Sequence, residues 1–298
     1  MKPVTLIGAP IDLGCDRNGP QLAPNELRKH GLTERLRKVL PTLHDGGDLP
    51  ATKRVETLKY KAHPHVKFLD GVVEFCEKLY QKVDEAHKAG TLPLVIGGDH
   101  ALALGSGAAT AANFDNLGIV WFDAHGDINT EASSPSGNAH GMPCAALMGF
   151  CTTQLTDIVR RTVNPHNVFW VGARDIDNGE QKLIDDHQLS VYGMDVIQSK
   201  GMPFVMDDIL RKMNERGIKH IHCSIDIDGV DPTITPGTGT PVQGGVMQSD
   251  YRIFVDTLLS TGTVRAIDFV EFNPLLDQTG RTLSWCLNEL EHIATLLQ

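Results

Sequence analysis

Short apolar runs recur along this chain of 298 residues, and three of them stop abruptly at clusters of aspartate and histidine. The runs 94–96, 119–122 and 221–225 lead into Gly97-Gly98-Asp99-His100, Asp123-Ala124-His125-Gly126-Asp127 and Asp226-Ile227-Asp228-Gly229-Val230-Asp231-Pro232. Further strand-like runs occupy 4–7, 168–171 and 264–269. Between them, segments 23–37, 72–89, 101–112, 179–187, 204–216, 249–259 and 281–297 carry apolar residues at helical spacing. Strand and helix patterns alternating in this way build a parallel sheet covered by helices on both faces. Ligands of such sheets bind at the carboxyl ends of the strands, and all three acidic motifs fall there. Residues 130–138 and 233–245 read as loops, and no repeat or linker interrupts the pattern. A single domain over 1–298 is expected.

Composition narrows the partners. A hydrophobic content of 41% supports a sizeable core. A net charge of −10 disfavours nucleic acid and anionic membrane surfaces. No apolar run reaches the ~18 residues of a membrane span, and the first residues read as a strand rather than a leader. Six scattered cysteines without a C-x-x-C pair fit free thiols in a reducing compartment. A cytoplasmic protein acting on a small molecule is the expectation.

The motifs carry the chemistry. Asp123, His125 and Asp127 alternate, as do Asp226 and Asp228, so an extended backbone would turn each set to one face. Carboxylates gathered without a cation repel one another and raise each other's pKa. Two divalent ions would balance the four charges of Asp123, Asp127, Asp226 and Asp228, with His100 and His125 as neutral ligands. Oxygen and imidazole donors without thiolate suit manganese better than magnesium, and zinc, iron, cobalt or nickel are chemically possible. A metal pair can share a water and ionise it near neutral pH, which implies hydrolysis at an electrophilic carbon or phosphorus. No phosphate-cradling loop is present, and Gly97-Gly98 reads as a turn that delivers His100.

In this order, the motifs resemble those of the ureohydrolase superfamily, over nearly the whole chain from Gly19-Pro20 to Glu271-Phe272-Asn273-Pro274. The resemblance implies a three-layer α/β/α sandwich around a mostly parallel eight-stranded sheet, with two Mn ions per subunit. The segment Ser136-Gly137-Asn138-Ala139-His140-Gly141-Met142-Pro143 is similar to arginases rather than agmatinases. So are the segment 172–180 and Pro236-Gly237-Thr238-Gly239-Thr240-Pro241. The implied reaction converts L-arginine and water to L-ornithine and urea through a metal-bridging hydroxide.

Site roles follow from that resemblance. Asn129, Ser134, Ser136 and Asn138 would receive the substrate carboxylate, for which neutral donors are suited. Asp175, with Asp177 or Glu180, would accept its ammonium. Glu271 would take the planar guanidinium as a paired hydrogen bond, and Thr240 would help orient it. Asp127 and His140 would move protons, since imidazole titrates near neutral pH. Two positions depart from the commonest pattern: Ala101 stands where Ser is frequent and Phe272 where Val is usual. The resemblance also implies a trimer or hexamer. Rival readings are a relative acting on agmatine, guanidinobutyrate or formiminoglutamate, a metal-binding regulator without turnover, and a deacetylase-like enzyme with one zinc.

Overall fold

A computed structural model describes residues 3–152 and 154–298. Eight strands form one sheet: β1 Val4–Ala9, β2 His44–Asp48, β3 Leu92–Gly97, β4 Leu117–Phe122, β5 Val168–Val171, β6 Ser190–Tyr192, β7 His220–Asp226 and β8 Val264–Val270. Their order is β2-β1-β3-β8-β7-β4-β5-β6, and every pair is parallel, where a mostly parallel sheet was expected. Side chains alternate through the sheet into two apolar layers. In β4, Val120 and Phe122 join the core beneath the helices Met202–Glu215, Gln248–Ser260 and Arg281–Leu296. Ile119 and Trp121 join the opposite core, beneath Leu69–Lys88 and Ala103–Asn113. Burial on both faces is why the inner strands read as unbroken apolar runs. No helix among the described residues is long and apolar enough to cross a membrane.

The six strands expected from the sequence are present, and two are added at the edges. The helix expected over 23–37 is instead two, Ala23–Lys29 and Leu32–Val39. Gly31 breaks it with φ 85°, a left-handed conformation that glycine adopts without steric cost. A seven-residue helix, Met194–Lys200, was not expected from the sequence. The motif-bearing strands β3, β8, β7 and β4 lie side by side in the middle of the sheet. Their carboxyl ends therefore face one another across neighbouring strands, and the site is built there.

Candidate active site

His100 is delivered by a turn that leaves no room for a side chain. A Cβ at Gly98 would fall 2.5 Å from the Ile11 carbonyl oxygen. Asp99 then caps the short 3-10 helix His100–Leu102, accepting from the Ala101 N–H at 3.0 Å and the Gly14 N–H at 2.7 Å. The His100 ring stacks on Trp121, with centroids 4.0 Å apart, and its Nε2 lies 2.8 Å from Ser224 Oγ. These contacts point Nδ1 at three carboxylates: 3.0 Å from Asp123, 3.0 Å from Asp127 and 3.3 Å from Asp226. Nδ1 nevertheless makes no well-directed hydrogen bond.

The other ligand candidates converge through turns rather than through strand alternation, which corrects the expectation of an extended backbone. Strand β4 ends at Phe122, and Asp123 Oδ1 accepts the His125 N–H two residues on, at 2.8 Å. Asp226 Oδ1 accepts the Asp228 N–H in the same way, also at 2.8 Å. Such aspartate turns fold the chain back on itself. The second oxygen of Asp226 faces His100, and that of Asp123 faces His100 while accepting the Trp121 indole N–H at 3.0 Å. His125 Nδ1 lies 3.2 Å from Asp228 Oδ2 and 3.3 Å from Asp123 Oδ1. Two groups of potential ligands result, His100 with Asp123 and Asp226, and Asp123 with His125 and Asp228. Asp123 is common to both.

The electrostatics show the strain of this gathering. Burial, together with the Asp123 charge, pushes Asp127 up to about 6. Burial and the charges of Asp228 and Asp123 raise Asp226 well above the usual carboxylate range. Asp123 goes the other way: burial is outweighed by His100 and His125, which hold it low. Burial disfavours charge on His100, but Asp123, Asp127 and Asp226 reverse this and raise it. A buried imidazole nitrogen facing three carboxylates without an aligned hydrogen bond fits a ligand better than an ion pair. The donor set of oxygens and imidazoles fits divalent cations, and the six cysteines, all buried and free, stand outside both groups.

Two of the carboxylates sit on unusual backbone. Asp127 has φ 52° and Glu271 has φ 66°, left-handed values that side-chain-bearing residues seldom adopt. Glu271 is held there by its N–H donating to the Gly98 carbonyl at 3.0 Å. Its Oε1 accepts the His100 N–H at 2.9 Å and lies 3.2 Å from His140 Nδ1. Burial disfavours charge on His140, but Glu271, Asp127 and Asp99 overcome this and raise it to about 9.

A cavity of about 260 Å³ opens above these groups. His125, Asp127, Asn129, His140, Asp175, Asp177, Glu180, Asp226 and Thr240 all reach it, so most of the residues singled out in the sequence meet there. Thr240 Oγ1 donates to Asp228 at 2.9 Å, which places it beside the carboxylates. Asp177 caps the helix Asn178–His187, and with Glu180 forms a reciprocal capping box. Asn129 donates to Asp177 at 2.6 Å, so the three are tied together at the acidic end of the cavity. Burial and the Asp127 charge push Glu180 up to about 8. Ser134, Ser136 and Asn138 do not line this cavity. Ser134 and Ser136 accept the N–H groups of Gly137 and Asn138, which is loop chemistry. Asn138 lines an adjoining chamber of about 200 Å³, with His140, Thr240 and Glu271 in its wall.

A family model described as the arginase family matches residues 2–292. The chain belongs to the arginase family. Among curated arginase-family relatives, the arginase of Bacillus caldovelox is 39% identical over 286 residues, 95% of each chain. That of Brevibacillus brevis is 41% identical over 283 residues, 94% of each chain. The solved structure of the Bacillus caldovelox arginase matches with a TM-score of 0.91 at 37% identity, covering 100% of this chain and 98% of that one.

Several residues around this arginase-family site escaped the sequence reading. The Arg174 guanidinium donates to the carbonyls of Gly172, Asp228, Gly229 and Val242, at 2.7 to 3.1 Å for its closest contacts. It ties the loop after β5 to the loop bearing Asp226 and Asp228. Lys67 is buried against Asp16 and Asn138. Arg174 stood in a segment already quoted, but nothing in the order of residues says that an arginine will bind carbonyls. The two departures are accommodated. Ala101 packs where Gly14 approaches it, since a Cβ on Gly14 would lie 2.7 Å from its own. Phe272 is buried in the apolar core, on the face away from Trp121.

Proposed function

We propose that this protein hydrolyses L-arginine to L-ornithine and urea with two Mn ions per subunit. The observation that carries the proposal is the convergence of His100, His125 and four aspartates beneath a cavity with an acidic end. His100, Asp123, Asp127 and Asp226 would hold one ion, and Asp123, His125 and Asp228 the other. When bound, such a pair supplies Lewis acidity and makes a water acidic enough to ionise near neutral pH.

The chain's own residues do the rest. Asp175, with Asp177 or Glu180, accepts the substrate's ammonium at one end of the cavity. Glu271 spends Oε1 on His100 and His140, which leaves Oε2 as a single acceptor for the guanidinium rather than the paired hydrogen bond expected from the sequence. Asp127 stands between His100 and the cavity, where its carboxylate can take a proton from the attacking water and return it to the departing nitrogen. His140, fixed at Nδ1 by Glu271, keeps Nε2 for exchanging protons with solvent. Thr240 steadies Asp228. The chain acts as one catalytic unit; the family resemblance supports an assembly of three or six copies, and the buried free cysteines fit a reducing, cytoplasmic setting.

The test is urea release from L-arginine by Mn-reconstituted protein, with agmatine in parallel. Urea and ornithine from arginine, with little from agmatine, are expected. Preference for agmatine would overturn the substrate assignment. Zinc dependence with one ion per chain would overturn the metal pair.

A further inference from the structure

The segment 65–67 lies along the loop that ends in Asn138 and His140, and both backbone and side chain bind it. Gly137 is left-handed, and a Cβ there would come within 2.2 Å of the His65 carbonyl oxygen. The Lys67 N–H donates to the Gly137 carbonyl at 2.9 Å. Lysine seldom withdraws from water, yet Lys67 is only 7% exposed. Its ammonium donates to Asp16 at 2.8 and 2.9 Å, and to Asn138 Oδ1 at 2.8 Å. Asn138 Nδ2 in turn donates to Asp16 Oδ2 at 3.1 Å.

This triangle fixes an amide that could otherwise turn over. An ammonium only donates and a carboxylate only accepts, so Asn138 must point its oxygen at Lys67 and its nitrogen at Asp16. The cation on the carbonyl oxygen also polarises the amide, which strengthens its N–H groups as donors. One of the two N–H bonds goes to Asp16. The second remains, and both Asn138 and Asp16 line the chamber that holds His140, Thr240 and Glu271. Lys67 stands behind that wall and is not part of it.

Resting on the arginine reading above, we infer that Lys67 is a positioning residue for the substrate carboxylate, acting through the Asn138 amide, with Asp16 as an opposing charge. Lys67 orients and polarises the donor. Asp16 balances the ammonium, and its own charge in the chamber wall repels an incoming carboxylate. The two members of one ion pair therefore act on carboxylate binding in opposite directions. A clamp that merely held the loop would lose function in the same direction whichever partner was removed.

The experiment measures kcat and KM for L-arginine in Mn-reconstituted parent, Lys67→Met, Lys67→Arg and Asp16→Asn proteins. Inhibition by L-ornithine is compared with inhibition by 1,4-diaminobutane, which lacks the carboxylate. Lys67→Met should raise the arginine KM and the ornithine inhibition constant about tenfold, with kcat nearly unchanged and diaminobutane unaffected. Lys67→Arg should recover most of the loss. Asp16→Asn, at a half-exposed position that tolerates change, should lower both constants two- to threefold, by order of magnitude about the worth of one weak charge interaction. An unchanged KM in Lys67→Met, or a rise in KM in both Lys67→Met and Asp16→Asn, would overturn the inference. If Lys67→Met does not fold, Asp16→Asn decides it by the sign of its effect. A parent that releases no urea from arginine overturns the substrate reading first, and this inference with it.

Discussion

Removing one carboxylate from the cluster should make the metal-free protein more stable while removing its activity. Asp127 is the position to change. Its carboxyl ionises at about 6 in the folded chain, against 3.8 for an unhindered group, because of burial and then the Asp123 charge. An acid whose folded pKa lies above its unfolded one weighs against folding once the unfolded form ionises. The deficit therefore opens above pH 3.8, grows until about pH 6 and is constant beyond. A gap of about two pH units corresponds to ~3 kcal/mol. Asparagine is the right probe, since it keeps the shape of aspartate and tolerates the left-handed φ of 52° at this site. The assay is calorimetry of chelator-treated parent and Asp127→Asn proteins at pH 7.5 and at pH 4. Melting temperature should rise by about 5 °C in the variant at pH 7.5, with little difference at pH 4. Stabilisation by added Mn should shrink, and urea release should disappear. A variant that melts below the parent at pH 7.5 without metal would refute the reasoning, because the carboxylate would then be favourably held rather than crowded.

Other expectations can be checked with the same preparations. Asp228→Ala removes a partner of His125 and should abolish Mn-induced stabilisation together with nearly all activity, read by metal analysis and urea assay. His140 is raised to about 9 by Glu271 and neighbouring acids acting against burial. The stability it contributes to metal-free protein should be complete below pH 6.5 and lost as pH climbs through about 9. In His140→Asn, the fall in melting temperature between those pH values should be smaller, and an unchanged slope would count against the pairing. Gly137→Ala forces a methyl toward the His65 carbonyl on a left-handed backbone. It should cost about 1–3 kcal/mol in a denaturation experiment.

The central strands were legible because burial on both faces writes an uninterrupted apolar run, as in Ile119 to Phe122. The edge strands were not. His44-Asp45-Gly46-Gly47-Asp48 carries polar residues and glycine because it faces solvent on one side, and β6 has only three residues. Gly31 lies inside the segment 23–37, where helical spacing continues on both sides of it and hides the break. At the site, the ligand-type residues were readable because aspartate and histidine at strand ends have few other uses in such numbers. The means of convergence was misread, since an aspartate turn and an extended alternation look the same in a list of residues. Ser134, Ser136 and Asn138 illustrate the opposite difficulty. A loop's hydroxyls and amides can serve the loop itself or a ligand, and only the fold shows that both serines accept from neighbouring backbone N–H groups. Lys67 was invisible for a simpler reason, as nothing in the sequence distinguishes a buried lysine from a solvated one.

The position of β8 has a consequence for how this protein is made. It is the last strand in the chain, yet it lies between β3 and β7, near the middle of the sheet. While residues 264–270 are still inside the ribosome, β3 and β7 each present an open inner edge, and nothing in the emerging chain can fill the gap between them correctly. His100 and Glu271, 171 residues apart, meet only when that strand arrives. Assembly from such distant segments is slow, and exposed inner edges attract other strands. The half-made chain is thus at its most vulnerable just before the catalytic centre comes into being.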